Sequence, residues 1–391
     1  MFYKRLIRPL LFMGDPEDTH EQTLALLSKI GALDGVLSRL YCMEDKRLQT
    51  RLGSLTFSNP VGLAGGFDKN AIAVRAVAGF GFGFMEIGAV TAVAQPGNPK
   101  PRLYRLPEDQ ALINRLGFNN EGATAVAARL RRLRENGSPL RIPLGINIGR
   151  SRVVETKDAV ADFLSAFEKV YPYGDFFTLN VSSPNTPQLR DLQEKNLLKD
   201  LLQAIQQRNR ELAGRVAQRV KPVLVKIAPD MEFSQADDII QVAMSEAIDG
   251  IIATNATAFL RETLVSDSKE PGGLSGKPLR ALATSFVRHL YRAVDGKLPI
   301  IGVGGIFSAE DAEDRYRIIA RAYIRFRLYT HRPRDDQCIR AGLSRRLFQP
   351  GLIDFFMVRN IPIARQRIDT RGFELGHKLV FEVAAYATLS T

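Results

Sequence analysis

The chain has 391 residues, enough for one large domain or two ordinary ones, and its 45% hydrophobic, 25% charged composition is that of a globular protein with a sizeable core. Two cysteines, Cys42 and Cys338, and only four histidines give neither a disulfide framework nor a metal-ligand spacing, so no metal is expected. The net charge of +12 opens a nucleic-acid or membrane-surface reading, but residues 313–391 alone hold 14 Arg and 1 Lys against 8 acids, so about +7 of it sits in the last fifth.

Residues 1–45 read as short amphipathic helices. Leu6, Ile7, Leu10 and Leu11 fall at helical spacing, and so do Leu24, Leu26, Leu27, Ile30, Leu33, Val36, Leu37 and Leu40. Breaks fall at Asp15-Pro16, Gly31 and Gly35. Lys4, Arg5 and Arg8 interrupt the first apolar run, which is therefore no secretory signal, and no segment reaches the roughly 18 apolar residues of a membrane span. Two readings stay open: a helical cap on the domain that follows, or a lid lying on a membrane surface and admitting a quinone.

From about residue 50 the pattern changes to short apolar runs alternating with helices. Strands are predicted at 61–64, 84–87, 142–148, 176–179, 223–227, 250–253 and 299–303, and helices at 123–135, 157–170, 196–212, 234–247 and 278–294. Strands buried on both faces and joined by helices form a parallel sheet. Polar residues at their C-terminal ends favour an eight-stranded α/β barrel over a doubly wound sheet. An eighth strand is due near 321–330, where Ile324, Phe326 and Leu328 alternate with Arg325 and Arg327. That is a strand with one wet face, whereas a barrel strand has none, and two unpaired buried arginines would cost several kcal/mol each.

The chemistry-bearing groups gather at the predicted strand ends. The loop Asn180-Val-Ser-Ser-Pro-Asn-Thr-Pro187 packs amides and hydroxyls behind an apolar strand and holds no His or Cys, so a proton acceptor there is a serine activated by its surroundings. Gly62-Leu-Ala-Gly-Gly-Phe-Asp-Lys69 reads either as a tight turn or as a cradle where a flat ring lies against backbone beside the Lys69 cation. Asn114-Arg-Leu-Gly-Phe-Asn-Asn120, Asn147, Asn180, Asn185 and Asn255 supply amides that both donate and accept, suited to a small planar polar ring. Lys226, inside Val-Leu-Val-Lys-Ile, either snorkels outward or faces a permanent anion. Gly272-Gly-Leu-Ser-Gly276 and Gly302-Val-Gly-Gly-Ile306 are candidate phosphate loops or ordinary glycine turns.

Together with Asp15-Pro16-Glu17, Gln95-Pro-Gly-Asn98 and Pro101-Arg102, this ordered set resembles the membrane-associated, quinone-using class of the dihydroorotate dehydrogenase family over residues 1–312. The resemblance implies an FMN-bearing barrel over 46–312 that oxidises (S)-dihydroorotate to orotate in pyrimidine biosynthesis. Hydride would pass from C6 to flavin N5, Ser183 would take the C5 proton with Thr186 as a possible relay, and a membrane quinone would receive the electrons. It implies substrate contacts at Lys69, Asn114, Arg115, Leu116, Gly117, Phe118, Asn180, Asn185, Asn255 and Ala256. It implies FMN contacts at Gly65, Gly66, Phe67, Asp68, Lys69, Ala89, Asn147, Asn180, Lys226, Thr254, Gly276, Gly305, Tyr329 and Thr330. Residues 1–45 would make peripheral membrane contact, on the cytoplasmic face of a bacterial inner membrane since no transit peptide is seen, and no nucleic acid is expected as a partner.

After Ala312 the resemblance gives way to an Arg-rich segment, 313–391, in which Leu328-Tyr329-Thr330 only echoes the family's Tyr-Thr-Gly loop. Three readings follow: an active enzyme that tolerates this tail, an inactive remnant unable to hold FMN, or a barrel with an appended module for nucleic acid or an acidic partner, the last disfavoured because the arginines are scattered. A shifted reading frame from about residue 313, or derivation of the segment from an unrelated sequence, would account for the abrupt change. If the frame is shifted, one of the other two frames of the coding DNA across codons 305–345 encodes an apolar strand followed by Tyr-Thr-Gly; two frames without it refute the shift.

Overall fold

All seven apolar runs form parallel strands, and an eighth strand from the far end of the chain closes them into a barrel. The computed structural model describes residues 8–42, 45–135, 137–215, 217–308, 311–312, 314–315 and 379–383. Helices α1 (Arg8–Met13), α2 (Pro16–Ile30) and α3 (Asp34–Tyr41) come first, then the antiparallel pair β1 (Thr50–Leu52) and β2 (Leu55–Phe57). There follow β3 (Val61–Leu63), α4 (Val74–Ala78), β4 (Phe84–Val90), β5 (Leu103–Leu106), β6 (Ala111–Asn114), α5 (Gly122–Glu135), β7 (Leu144–Ile148), α6 (Ala159–Val170) and β8 (Phe176–Asn180). The remainder is α7 (Lys195–Arg215), β9 (Val223–Ile227), α8 (Phe233–Ser245), β10 (Gly250–Ala253), β11 (Gly273–Gly276), α9 (Arg280–Val294), β12 (Ile300–Val303) and β13 (Leu379–Val383).

The closed barrel runs β3-β4-β7-β8-β9-β10-β12-β13 and back to β3, every pair parallel. The eighth place is not taken by the stretch near 321–330, which lies outside the described residues. It is held by β13, with Leu379 opposite Ile300 on one side and Phe381 opposite Val61 on the other. Apart from Glu382 the run Leu-Val-Phe-Glu-Val is apolar, with two β-branched residues and an aromatic one, a composition that suits a strand with neighbours on both sides.

The β1–β2 pair plugs the end where the strands begin. Leu52 and Phe57 are fully buried there against Phe84 and Phe176, the first residues of β4 and β8. Phe57 and Phe84 lie 4.8 Å apart between ring centroids. The rings leave no room on the neighbouring strands: a Cβ at Gly62 would fall 2.0 Å from Phe84 Cζ, and one at Gly145 2.1 Å from Phe176 Cζ. Alanine at either would force the ring aside, at a cost of about 1–3 kcal/mol. Gly62 therefore serves the barrel floor and not the ligand cradle proposed for the loop that begins with it.

At the opposite end, β5, β6 and β11 form a three-stranded antiparallel sheet over the mouth. This corrects the loop reading of residues 272–276: Gly273 pairs with Asn114 and Gly276 with Ala111, so the glycine run is largely a strand. Three glycines, a serine and a single leucine carry no apolar alternation, which hides such a strand from sequence.

The N-terminal helices are fastened to this same end. Asp15 caps α2, its carboxylate accepting from the Glu17 and Asp18 N–H groups at 2.8 and 3.1 Å. Leu24 and Leu27 bury against the core. Glu17, almost wholly buried, receives a forked pair of bonds from Arg102 at 2.9 Å (Nε) and 2.7 Å (Nη2). His20 Nε2 lies 2.7 Å from the Phe67 carbonyl, and its ring stands edge-on to Phe67. Burial, then the Lys69 charge, lowers the His20 pKa to about 4, so it docks as a neutral ring that donates to the carbonyl.

Candidate active site

The C-terminal ends of the barrel strands open into a cavity of about 1020 Å³, its open mouth included. Most of the residues singled out from sequence line it. Gly65, Gly66 and Lys69 come from the loop after β3, Ala89 from β4, and Asn114, Leu116, Gly117 and Phe118 from the end of β6 and the turn beyond. Asn180, Ser183 and Asn185 follow β8; Lys226 stands in β9; Thr254, Asn255 and Ala256 follow β10; Gly276 ends β11; Gly305 follows β12. Residues so distant in sequence meet because parallel strands deliver all their C-terminal ends to one rim.

Four expected contacts do not line the cavity. The Asp68 carboxylate is fully buried and accepts from the Ile72 and Ala73 N–H groups at 2.8 and 2.7 Å; burial pushes its pKa up. Phe67 supports His20 instead. Arg115 turns its guanidinium outward to Glu270 at 2.7 Å and over the Tyr104 ring, while its backbone N–H donates to Arg102 O at 2.8 Å. Asn147 lies one layer beneath the surface, donating to Glu86 Oε1 at 3.1 Å and accepting from Asn180 Nδ2 at 3.0 Å. Tyr329 and Thr330 lie outside the described residues.

The polar groups are tightly interlocked. Asn180 Oδ1 accepts from Ser182 Oγ at 2.8 Å, and Asn255 Nδ2 donates to the same Ser182 Oγ at 2.8 Å. Asn185 Nδ2 donates to Asn114 O at 3.0 Å, tying the loop after β8 to β6. Ser183, only 6% exposed, accepts from the Asn185 N–H at 3.3 Å. Thr186 is also buried, and its carbonyl accepts from the Leu189 N–H, which folds the loop back on itself.

Two cations face this space. The Lys69 ammonium donates to Asn119 Oδ1. Burial lowers its pKa to about 7, with Glu17 acting against that shift and Arg102 with it. Lys226 does not snorkel: it is buried with Nζ 3.9 Å from Glu86 Oε2, so the permanent anion it was expected to face is part of the protein. Glu86 and Ser182 were not found from sequence. The available signal for Glu86 was one carboxylate inside Phe-Met-Glu-Ile-Gly-Ala-Val, an apolar strand that could not bury it without a partner.

The cavity also has the features of a holder for a phosphorylated ring cofactor. Thr254 Oγ1 and Ser275 Oγ are buried on its wall with no hydrogen-bond partner among the described residues. Gly304, Gly305 and Leu279, which immediately precedes α9, bring backbone and a helix start to one corner. Behind that corner Arg315, 1% exposed, donates to Gly304 O at 2.6 Å and to Val303 O at 3.4 Å. In a trans peptide the N–H points opposite to the C=O, so this grip turns the Gly305 N–H away from Arg315, toward the cavity side. Among the described residues no cluster of three or more His, Cys, Asp or Glu could hold a metal.

The family model for dihydroorotate dehydrogenase matches residues 47–327. The chain belongs to the dihydroorotate dehydrogenase family. It is 46% identical over 353 residues to a dihydroorotate dehydrogenase (quinone) of Gloeobacter violaceus, covering 89% of this chain and 95% of that protein. It is 47% identical over 322 residues to a protein of the same name from Chloroflexus aurantiacus, covering 80% and 87%. Among solved structures, the Eimeria tenella enzyme in complex with ferulenol superposes with a TM-score of 0.72 at 37% identity, over 78% of this chain and 84% of that one.

The position of Lys69 fixes a pH dependence. A carboxylate held against it needs the ammonium, and the free amine titrates near 7. Below pH 7 affinity should be flat. Above it, binding should take up a proton and weaken by about tenfold per pH unit until the pKa of the complex is reached. Calorimetry of orotate binding in buffers of different ionisation enthalpy measures this; no proton uptake at pH 8 would show that Lys69 does not meet the ligand.

Proposed function

We propose that this protein oxidises (S)-dihydroorotate to orotate and passes the electrons by way of FMN to a quinone. The observation that carries the reading is Ser183, buried at the end of β8 inside a cavity walled by amides and two lysines, in a chain of this family whose relatives are named as the quinone enzyme.

Bound FMN supplies a two-electron acceptor for the hydride leaving C6. The protein's own residues do the rest. Ser183 Oγ takes the C5 proton as it hands its own onward, with Thr186 the relay within the buried loop. Loss of that proton and of the C6 hydride leaves the C5=C6 double bond of orotate. Lys69 pairs with the substrate carboxylate, while Asn114, Asn185 and Asn255 read the edges of the ring. Asn180 and Lys226 would hold the flavin together with the Thr254 and Ser275 hydroxyls, which have no partner among the described residues, and the glycine corner before α9 would hold its phosphate. Ala256 stands where a hydroxyl would add one further hydrogen bond, worth about 0.5–1.5 kcal/mol. A buried serine loop is an apt place for a weak base, because exclusion of water removes the competing acceptor.

The inactive-remnant reading is disfavoured by a barrel that closes through β13 and by a cavity to which the loops after β3, β6, β8, β10 and β12 all contribute. For the N-terminal helices we assign quinone access and peripheral membrane contact, on the cytoplasmic side of a bacterial inner membrane. Supporting this, α2 reaches the cavity loop through His20 and Phe67, and Leu26, Leu33, Val36 and Leu40 are about half exposed or more. Lys29 and Arg39 are exposed near them. No helix among the described residues is long and apolar enough to cross a membrane.

Two outcomes are expected. Purified protein should be yellow and bleach on anaerobic addition of dihydroorotate, and Ser183→Ala should keep the flavin band while slowing the bleaching by about 10²–10⁴-fold. A colourless protein would restore the remnant reading. The double variant Leu26→Glu, Leu40→Glu should lose sedimentation with anionic phospholipid vesicles while flavin reduction by dihydroorotate stays at the wild-type rate; undiminished sedimentation would remove the membrane role of this face.

A further inference from the structure

Glu86, fully buried in β4, lies beneath the cavity, against Gly65 and Lys226, which line it. Its Oε2 accepts from the Gly65 N–H at 3.0 Å and lies 3.9 Å from Lys226 Nζ. The approach to Gly65 is as close as backbone allows, for a Cβ there would meet Oε2 at 2.7 Å. Its Oε1 accepts from Asn147 Nδ2 at 3.1 Å.

An ionised carboxylate only accepts hydrogen bonds. Asn147 must therefore turn its NH2 to Glu86 and its carbonyl to Asn180, whose Nδ2 donates to it at 3.0 Å. The NH2 of Asn180 being used, its carbonyl faces the other way and takes Ser182 Oγ at 2.8 Å and Asn255 Nδ2 at 3.4 Å. Backbone N–H groups hold the outer two amides in the same sense, Ser182 N–H donating to Asn180 Oδ1 at 3.3 Å and Ala256 N–H to Asn255 Oδ1 at 2.7 Å, so the buried anion sets the sense of Asn147 and through it braces Asn180.

We propose that Glu86 is a positioning residue with two linked effects: it fixes the orientation of Asn147, which braces Asn180 on the cavity wall, and it offsets the Lys226 charge beneath the flavin, thereby holding down the cofactor's reduction potential. The assignment rests on the FMN reading above. Negative charge arriving on the ring with the electrons is favoured by Lys226 and opposed by Glu86, so removing the carboxylate charge leaves the lysine to act alone.

Glu86→Gln keeps the volume but cannot satisfy the site. Donors face both of its terminal atoms, Gly65 N–H and Lys226 on one and Asn147 on the other, and an amide presents an NH2 to one of them. The variant should raise the two-electron midpoint potential of bound FMN by about 30 mV, a tenfold change in the reduction equilibrium. Weaker orotate binding, by about tenfold, should accompany it as the amide chain loses its orientation. In Lys226→Met the potential should fall, and Glu86→Gln added to it should then change the potential far less than in wild type. A purely structural glutamate would produce no such coupling. If Glu86→Gln is yellow with unchanged potential and orotate affinity, the proposal is overturned while the FMN reading stands. Wild-type protein that takes up no FMN overturns the FMN reading and this assignment with it. Should Glu86→Gln fail to fold, the double variant with Lys226→Met should recover folded protein if the fault is an ammonium left buried without its countercharge; failure of the double variant to fold would assign Glu86 to packing alone.

Discussion

Two opposite charges kept from water, Glu86 and Lys226, are the constraint around which the mouth of this barrel is built. Removing an ion from water costs several kcal/mol even after the protein relaxes around it, and a 3.9 Å separation returns only part of that. The remainder comes from fixed dipoles: the Gly65 N–H and the Asn147 amide on the glutamate. Strand register makes the arrangement possible. Glu86 sits opposite Gly145 on β7, and Asn180, the last residue of β8, sits opposite Lys226 on β9. Neighbouring parallel strands thereby bring an acid, two amides and a base to one level of the barrel. The rest of the cavity wall is set above them.

The parts legible in the sequence are those that a single strand or loop reveals by itself. Each predicted barrel strand is an apolar run ending in a polar or small residue, and the observed bounds differ from the expected ones by at most three residues. Lys226, Asn180 and Ser183 were legible because a polar group at the end of a buried strand has few other reasons to be there. Asn147 was placed correctly at a strand end but one layer too high, because only the three-dimensional packing shows that Glu86 draws its amide downward. Arg115 shows the opposite case: its neighbours in sequence line the cavity, yet Glu270, far along the chain, holds its guanidinium outside and leaves only its backbone near them. The covering sheet was missed because β5, β6 and β11 are four residues each, too short to establish a period.

The N-terminal helices are more than a lid resting on the barrel. Arg102 binds Glu17 of α2 with one part of its guanidinium and the Pro96 and Asn98 carbonyls with another. One buried side chain thus joins the helical extension to the segment between β4 and β5. That segment in turn holds the turn after β6, for Asn98 Nδ2 donates to Arg115 O at 2.7 Å and its N–H to Leu116 O at 3.1 Å. Motion of α2 and the shape of the cavity rim are mechanically connected, and the connection runs through polar bonds that a shift of a few tenths of an ångström weakens.

The closure of the barrel by β13 has a consequence for how the molecule comes into being. Val61 finds its strand partner in Phe381, close to the far end of the chain. Pairings so remote in sequence are the slowest to form, because the intervening chain must be ordered before they yield anything. On the ribosome, β3 and β12 both emerge with one edge unpaired and must wait until β13 has been made. Until then the nascent barrel is an open, curved sheet with two adhesive edges, the form in which strands most readily find the wrong partner. The cavity wall is thus synthesised well before the strand that locks it into a ring.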